Sequence, residues 1–489
     1  MRDKASAPDI GEEGGSQRLS FLHPMADGQS GKLPKPPLAA PQLSNCVQAR
    51  DKMRFCQALS AILAVVGTVV MGAGAQGQEA APPTLTLTKA IATALQLHPS
   101  LRAADQRVES ARQRREVRRS ETRLLTDFRL TAQRYDWLQP NKENLLGGGS
   151  TDVYADLGLR KLLYSGGRVE AQISAAELGL FRSRETDRRV RQQVVYGVAR
   201  AYYQLVEAQR VVEARQEALR AMEQHAQLTR DLLAAGKVAR VDVLRAEVKV
   251  ADLRQALLKA QNATRLAKLA LRNAMGVTEA GELVVLSTLA APTAPPETGT
   301  ALAEALSQRP DWLASQLAVR QAEADRTAAA AERKPSLSAV ASYNSEGSDV
   351  PNIENWNLGF AVSLPVFDGG RIRAATREAG AELCARQAER ELLRQQIELE
   401  VTGAVLRIQD ALERVAATAK AVAEARETLN IQRRAYELGV GTALDVFDAQ
   451  TALTQADVNH TQALTDAQTA TAELTYAVGR DPQPQPEEQ

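Results

Sequence analysis

The sequence predicts a mainly α-helical chain with a small β part built for a membrane, incomplete until further copies of itself are added. Three observations lead there. The first is a duplication. Residues 436–450 have a cognate 203 positions earlier: Gly236, Val241, Asp242, Val243 and Leu244 align with Gly439, Leu444, Asp445, Val446 and Phe447. At the same offset, Tyr164 to Arg168 aligns with Phe367 to Arg371, and Ala274-Met275-Gly276 with Ala477-Val478-Gly479. One offset shared by landmarks this far apart marks a tandem repeat of a unit of about 200 residues. The second is a seven-residue apolar period in the long segments, and the third is two pairs of short alternating segments.

Composition sets the bounds. The 489 residues carry a net charge of +1, with 24% charged and 4% aromatic side chains. Such a chain favours long helices over an aromatic core, and its near-neutral charge gives no reason to expect nucleic acid. Arginines cluster over Arg112–Arg123, where the heptad-like context reads as a solvated helix face. The polar residues 1–52 precede Arg54, the apolar run Ala58 to Met71, and Gly72-Ala73-Gly74-Ala75. Residues 53–75 therefore read as a secretory signal cleaved after Ala75, too short to span a bilayer, with Met1 and Met53 both open as the start. Export would remove Cys46 and Cys56 and leave Cys384 alone. No metal-ligand spacing, phosphate loop or nucleophile elbow is present, so the reading is a non-enzyme without a cofactor or metal.

The first repeat is assigned to 76–276 and the second to 301–479, joined by a Pro-, Ala- and Thr-rich linker at 277–300 that holds Leu283-Val284-Val285-Leu286. Residues 480–489, Pro-rich and acidic, are expected to be disordered. Helices fill most of each repeat. Val198, Leu205, Val212, Leu219, Ala226 and Leu233 recur every seven residues, and so do Val401, Ile408, Val415, Val422, Leu429 and Tyr436. Alanine recurs along one row of the final segment, at Ala449, Ala456, Ala463, Ala470 and Ala477. A strict heptad over this length implies left-handed coiled coils with closely approaching axes. The span from Arg371 to about Glu437 would be about 100 Å long at 1.5 Å per residue. A soluble coiled coil fits this periodicity equally well.

The alternating segments argue against it. Leu124–Trp137, Asp152–Tyr164, Ser336–Tyr343 and Asn357–Phe367 alternate face by face and have nearly the length of a tilted membrane strand. Polar links at Gln139–Thr151 and Ser345–Asn355 make them two hairpins, four strands in all. Four strands cannot close a barrel, and an open edge in lipid leaves backbone groups unpaired. Several chains must then share one barrel, three of them supplying twelve strands; a small soluble sheet is the blander alternative. Gly166-Gly167 and Gly369-Gly370 fall where strand passes into helix and read as barrel–tunnel hinges.

Leu97-His98-Pro99-Ser100-Leu101, Leu364 to Arg371, and above all Tyr436 to Gln450 with Ala477-Val478-Gly479 resemble the TolC family of outer-membrane efflux channels, over Leu85 to Gly479. The resemblance implies a homotrimer with a 12-stranded β-barrel in outer-membrane lipid, continuous with a periplasmic α-helical tunnel. It implies a passive exit duct for a tripartite pump or type I secretion system, with an inner-membrane transporter and a periplasmic adaptor as partners. In that family an Asp-x-x-Asp in the second repeat lines the closed entrance, and the matching residues are Asp445 and Asp448, with Tyr436 the aromatic at the turn. The cap reading competes at Asp445, which with Thr442 fits a capping box at the start of the last helix; Tyr436 can equally be the core residue that ends its heptad row. The first-repeat counterparts are Asp242 and Arg245. Where the best-known member carries an arginine, this chain has Gly441, which puts its closing salt-bridge network in doubt. The helix-turn tips, marked by Gly236, Lys237, Gly439 and Gly441, are the expected adaptor contacts. The rival reading is a periplasmic adaptor-type coiled coil, which would carry one helical hairpin between β-rich domains.

Overall fold

The computed structural model describes residues 85–137, 148–277, 285, 294–348 and 353–481. The chain divides into two units, Met1–Gln78 and Glu79–Gln489, and all described residues belong to the second. The expected extension, signal segment, most of the linker, the tip of the first β-hairpin and residues 482–489 lie outside the described residues.

The duplication appears as matched elements. In the first repeat α1 (Leu87–Leu97) and α2 (Pro99–Ser120) lead into β1 (Leu124–Trp137) and β2 (Gly148–Tyr164), followed by α3 (Arg168–Ala234) and α4 (Arg240–Met275). The second repeats the order as α5 (Thr298–Gln308), α6 (Pro310–Ala331), β3 (Ser336–Ser348), β4 (Ile353–Ser363), α7 (Arg371–Glu437) and α8 (Ala443–Val478). Helix lengths repeat residue for residue: α3 and α7 have 67 each, α4 and α8 have 36 each. At 1.5 Å per residue α3 and α7 are about 100 Å long. Each packs with its shorter partner through the heptad positions, burying Val401, Ala404, Ile408 and Ala411 on α7 and Ala463, Ala467, Ala470 and Leu474 on α8. Polar residues in these rows find partners across the seam. The Thr418 hydroxyl lies 3.0 Å from His460 Nδ1, and Thr264 Oγ1 donates to the Ala208 carbonyl at 3.1 Å.

The four strands form one antiparallel sheet in the order β1-β2-β3-β4. Directly paired residues share a face, so the register sorts the sheet. Phe128, Leu157, Tyr343 and Trp356 form one row; Thr126, Leu159, Ala341 and Leu358 form the next on that side. On the other side run Asp127, Gly158, Ser342 and Asn357, then Arg129, Asp156, Asn344 and Asn355. Trp356, Leu358 and Phe360 are 76–78% exposed within the chain. One face is therefore mainly apolar and uncovered, broken by Lys161, Ser345 and Glu354, and the other mainly polar, broken by Leu125 and Val340; the outer edges of β1 and β4 have no partner among the described residues.

Boundaries differ from the expected ones at β2, β3 and β4. β2 begins at Gly148, β3 runs on to Ser348 and β4 begins at Ile353, because a hairpin ladder continues through polar residues once its register is set. β4 stops at Ser363, so Leu364–Phe367 is not strand: Pro365 has no N–H to donate and restricts the residue before it. Each hairpin then enters its long helix through a glycine pair. Gly167 and Gly370 stand at φ +90° and +89°, where a side chain would be strained. The first turns are capped by cognate residues. Val169 N–H donates to Ser165 Oγ at 3.1 Å, and Ile372 N–H donates to Asp368 Oδ2 at 2.7 Å.

The segment expected to begin the disordered tail opens with two anchored residues. Arg480 grips Glu304 through two 2.7 Å hydrogen bonds, and Asp481 meets Arg188 at 3.1 Å. From the linker, Val285 forms a parallel bridge with Leu85.

Candidate functional site

At the far ends of the long helices both hairpins turn in the same way. The Gly236 N–H donates to the Leu233 carbonyl and Lys237 N–H to Leu232; Gly439 N–H donates to Tyr436 and Val440 N–H to Ala435, all at 2.9–3.0 Å. These are Schellman turns, which satisfy orphan carbonyls at a helix end through a glycine at positive φ, here +70° and +77°. Gly441 serves differently. Its N–H also reaches the Ala435 carbonyl, and a Cβ there would stand 3.1 Å from Ala435 Cβ and from Tyr436 N. The turn thus lies against the end of α7 with little room for a side chain.

The tips of both repeats pack into one core: Met222 and Ala226 of α3, Ala246 and Val250 of α4, Tyr436 of α7, and Val446 and Phe447 of α8. Tyr436 faces inward, its hydroxyl 3.5 Å from Thr229 Oγ1. His225 of α3 sits between the rings of Tyr436 (4.9 Å) and Phe447 (5.2 Å). Its Nε2 is sealed from water without a hydrogen bond. Burial, reinforced by Arg433, holds its pKa below the usual histidine value.

Asp445 completes the capping box. It accepts from Thr442 N–H at 3.0 Å and from Thr442 Oγ1 at 2.6 Å, while its own N–H donates to Thr442 Oγ1 at 3.2 Å. These bonds to Thr442 hold its carboxyl below the usual range. Asp448, one turn on, is exposed. In the first repeat Arg245 lies 3.9 Å from Asp242, so the cognate position carries a charge-paired patch. The structure brings Tyr436, Asp445, Asp448, Asp242, Arg245 and the tip residues to one end of the helices. It sets the hinge glycines Gly166, Gly167, Gly369 and Gly370 at the other end, about 100 Å away. No group of side chains suited to a metal ion occurs among the described residues.

Sequence reasoning missed a second cluster, where α8 ends. Arg309, 2% exposed, donates through Nε to Asp311 at 2.8 Å, through Nη2 to Glu400 at 2.5 Å, and through Nη1 to the Ala477 carbonyl at 3.1 Å. Arg189 donates to the Tyr476 carbonyl at 2.8 Å and lies 3.7 Å over the Tyr476 ring, and Gln192 donates to the Gly479 carbonyl at 2.8 Å. Cations thus meet the carbonyls that a helix C-terminus leaves open. The signal was present: Arg309-Pro310 stands in the second repeat where His98-Pro99 stands in the first. A Cβ on Gly479 would lie 2.7 Å from Arg309 Cα, and one on Gly276 would lie 2.8 Å from His98 Cα.

The sequence profile of outer membrane efflux proteins matches residues 90–277 and 301–480. The chain belongs to the outer membrane efflux protein family. It is 27% identical to the outer membrane efflux protein BepC of Brucella suis over 66% of this chain and 71% of that relative. It is 27% identical to the outer membrane protein OprJ of Pseudomonas aeruginosa over 83% and 88%. Among solved structures, CusC superposes with TM-score 0.72 at 21% identity, over 80% of this chain and 92% of that one. VceC of Vibrio cholerae gives 0.70 at 21%, over 80% and 96%. The protein is an outer-membrane efflux channel, with its β-sheet at the membrane and its helical part in the periplasm.

Proposed function

We propose that three copies assemble around one axis, closing their sheets into a 12-stranded barrel and their helices into a tunnel, as the passive exit duct of a tripartite pump or type I secretion system. The observation that carries this is the sheet: one face mainly apolar, one mainly polar, and both outer edges without a partner among the described residues. In hydrocarbon every unpaired backbone group costs several kcal/mol, so β4 of one copy must pair with β1 of the next. The apolar face then meets lipid and the polar face lines water. A duct of this kind needs no catalytic group; an inner-membrane transporter supplies energy and cargo, and a periplasmic adaptor docks on the tips around Gly236, Lys237, Gly439 and Gly441. Export by the signal at 53–75 delivers it.

The same symmetry would place Asp445 and Asp448 in stacked carboxylate rings at the periplasmic entrance, with Tyr436 as the joint between hairpins. Rings of acidic side chains attract cations. The assembly is tested by expression with the leader and fractionation. Recovery from the outer membrane as a heat-sensitive trimer that conducts in planar bilayers is expected; a soluble periplasmic monomer would refute it. For the entrance, Asp445→Ala with Asp448→Ala should weaken divalent-cation block of single-channel current, and unchanged block would reject the rings.

A further inference from the structure

Between α2 and α6, over α3, lies a trough of about 1100 Å³. Small residues such as Ala111, Ala175, Gly179 and Ala328 line it, which leaves it wide. Four arginines also line it, Arg107, Arg114 and Arg118 from α2 and Arg182 from α3, along with three carboxylates, Asp187, Asp325 and Glu332. Several of these charges are already matched. Arg118 meets Glu121, Asp187 meets Arg191 and Glu332 meets Arg371, each at 2.9 Å. Arg107, Arg114 and Arg182 make no ion pair among the described residues. The carboxylates left to offset them are Asp325, whose pKa burial raises despite the nearby Arg118 and Arg182, and in part Asp187, which shares Arg191 with Asp105 and keeps Oδ1 without a hydrogen bond.

The orientation of the trough follows from topology. α2 runs into β1, β2 into α3, α6 into β3 and β4 into α7, so the helices α2, α3, α6 and α7 form a layer in the order of the strands they continue. α2 and α6 pack on either side of α3 and supply the walls of the trough with α3 as its floor, which makes that side the concave one. In a closed ring the concave side faces the axis.

We propose that this stretch of the bore favours anions, and that Arg107, Arg114 and Arg182 are the residues that select for anionic solutes in transit. The inference rests on the trimeric ring proposed above. Threefold repetition sets nine such guanidinium groups, only partly offset by the Asp325 and Asp187 carboxylates, around water bounded by low-dielectric walls, an arrangement that focuses positive potential. A potential of only about one kT enriches anions roughly threefold.

The test is the reversal potential of the purified full-length trimer in planar bilayers under a gradient between about 0.01 and 0.1 M KCl, where the Debye length is roughly 10–30 Å. Arg107→Gln, Arg114→Gln and Arg182→Gln together should lower the chloride-to-potassium permeability ratio by about sevenfold, because a potential of about one kT that enriches anions roughly threefold depletes cations by the same factor. The triple Arg→Lys variant should keep the parent ratio, because the charge matters and the fork does not. The shift should recur in the Asp445→Ala, Asp448→Ala background, which separates it from the entrance, and each single Arg→Gln change should move the ratio the same way. An unmoved ratio in channels of parental conductance overturns the inference alone. Absence of any conductance from the parent protein overturns the ring and this inference together.

Discussion

Arg309→Met should be among the most damaging single substitutions outside the long heptad rows. Methionine keeps an apolar stem of similar reach, so the loss falls on the guanidinium and its three partners. Breaking a buried ion pair costs about 3–5 kcal/mol, and an orphaned carbonyl alone costs about 1–3 kcal/mol. Two features pull the expectation to the low end. Asp311 keeps Arg189 at 3.3 Å, and Glu400 is 49% exposed and can be rehydrated. The Ala477 carbonyl has no such relief at the end of α8. A loss of about 3 kcal/mol, roughly a hundredfold in the unfolding equilibrium, is expected. It would be read as the shift in urea midpoint of the helical circular-dichroism signal in detergent. Arg309→Lys, which keeps a charge but not the fork, should fall between. Adding Glu400→Gln to Arg309→Met should cost little more, since that carboxylate already reaches water. A loss under about 0.5 kcal/mol for Arg309→Met, the level of an ordinary surface change, would refute the view that this residue locks α8 to α6 and α7.

Two further outcomes follow from the same geometry. His225 has a folded pKa below its ordinary 6.5, so the unfolded chain takes up the proton first. Its contribution is whole above about pH 6.5 and falls away as pH drops toward the folded value; hydrogen exchange at the tips should quicken over that window, and His225→Phe should flatten the dependence. At the helix starts, Gly167→Ala and Gly370→Ala meet open space and should cost only the left-handed backbone, about 1–2 kcal/mol. Gly276→Ala and Gly479→Ala add overlap with the backbone of His98 and Arg309, worth about 1–3 kcal/mol more, so equal losses in all four would contradict the packing found here.

Periodicity by itself fixed much of this protein. The span of α7, the heptad partners of α3 with α4 and α7 with α8, the four strands and the cap at Thr442 were all readable, because each depends on residues close in sequence or on a repeat that announces itself. The strand ends were not: β3 and β4 extend through polar text because cross-strand pairing, not local alternation, decides where a ladder stops. Tertiary structure alone decided the partners. It buried Tyr436 against His225, a histidine without any local signal, and it gathered Arg189, Arg309, Asp311 and Glu400 from three helices around the end of a fourth. It also showed which arginines of α2 are matched by carboxylates and which are left over. Long-range electrostatics and packing join residues hundreds of positions apart, and no window along the chain contains both members of such a pair.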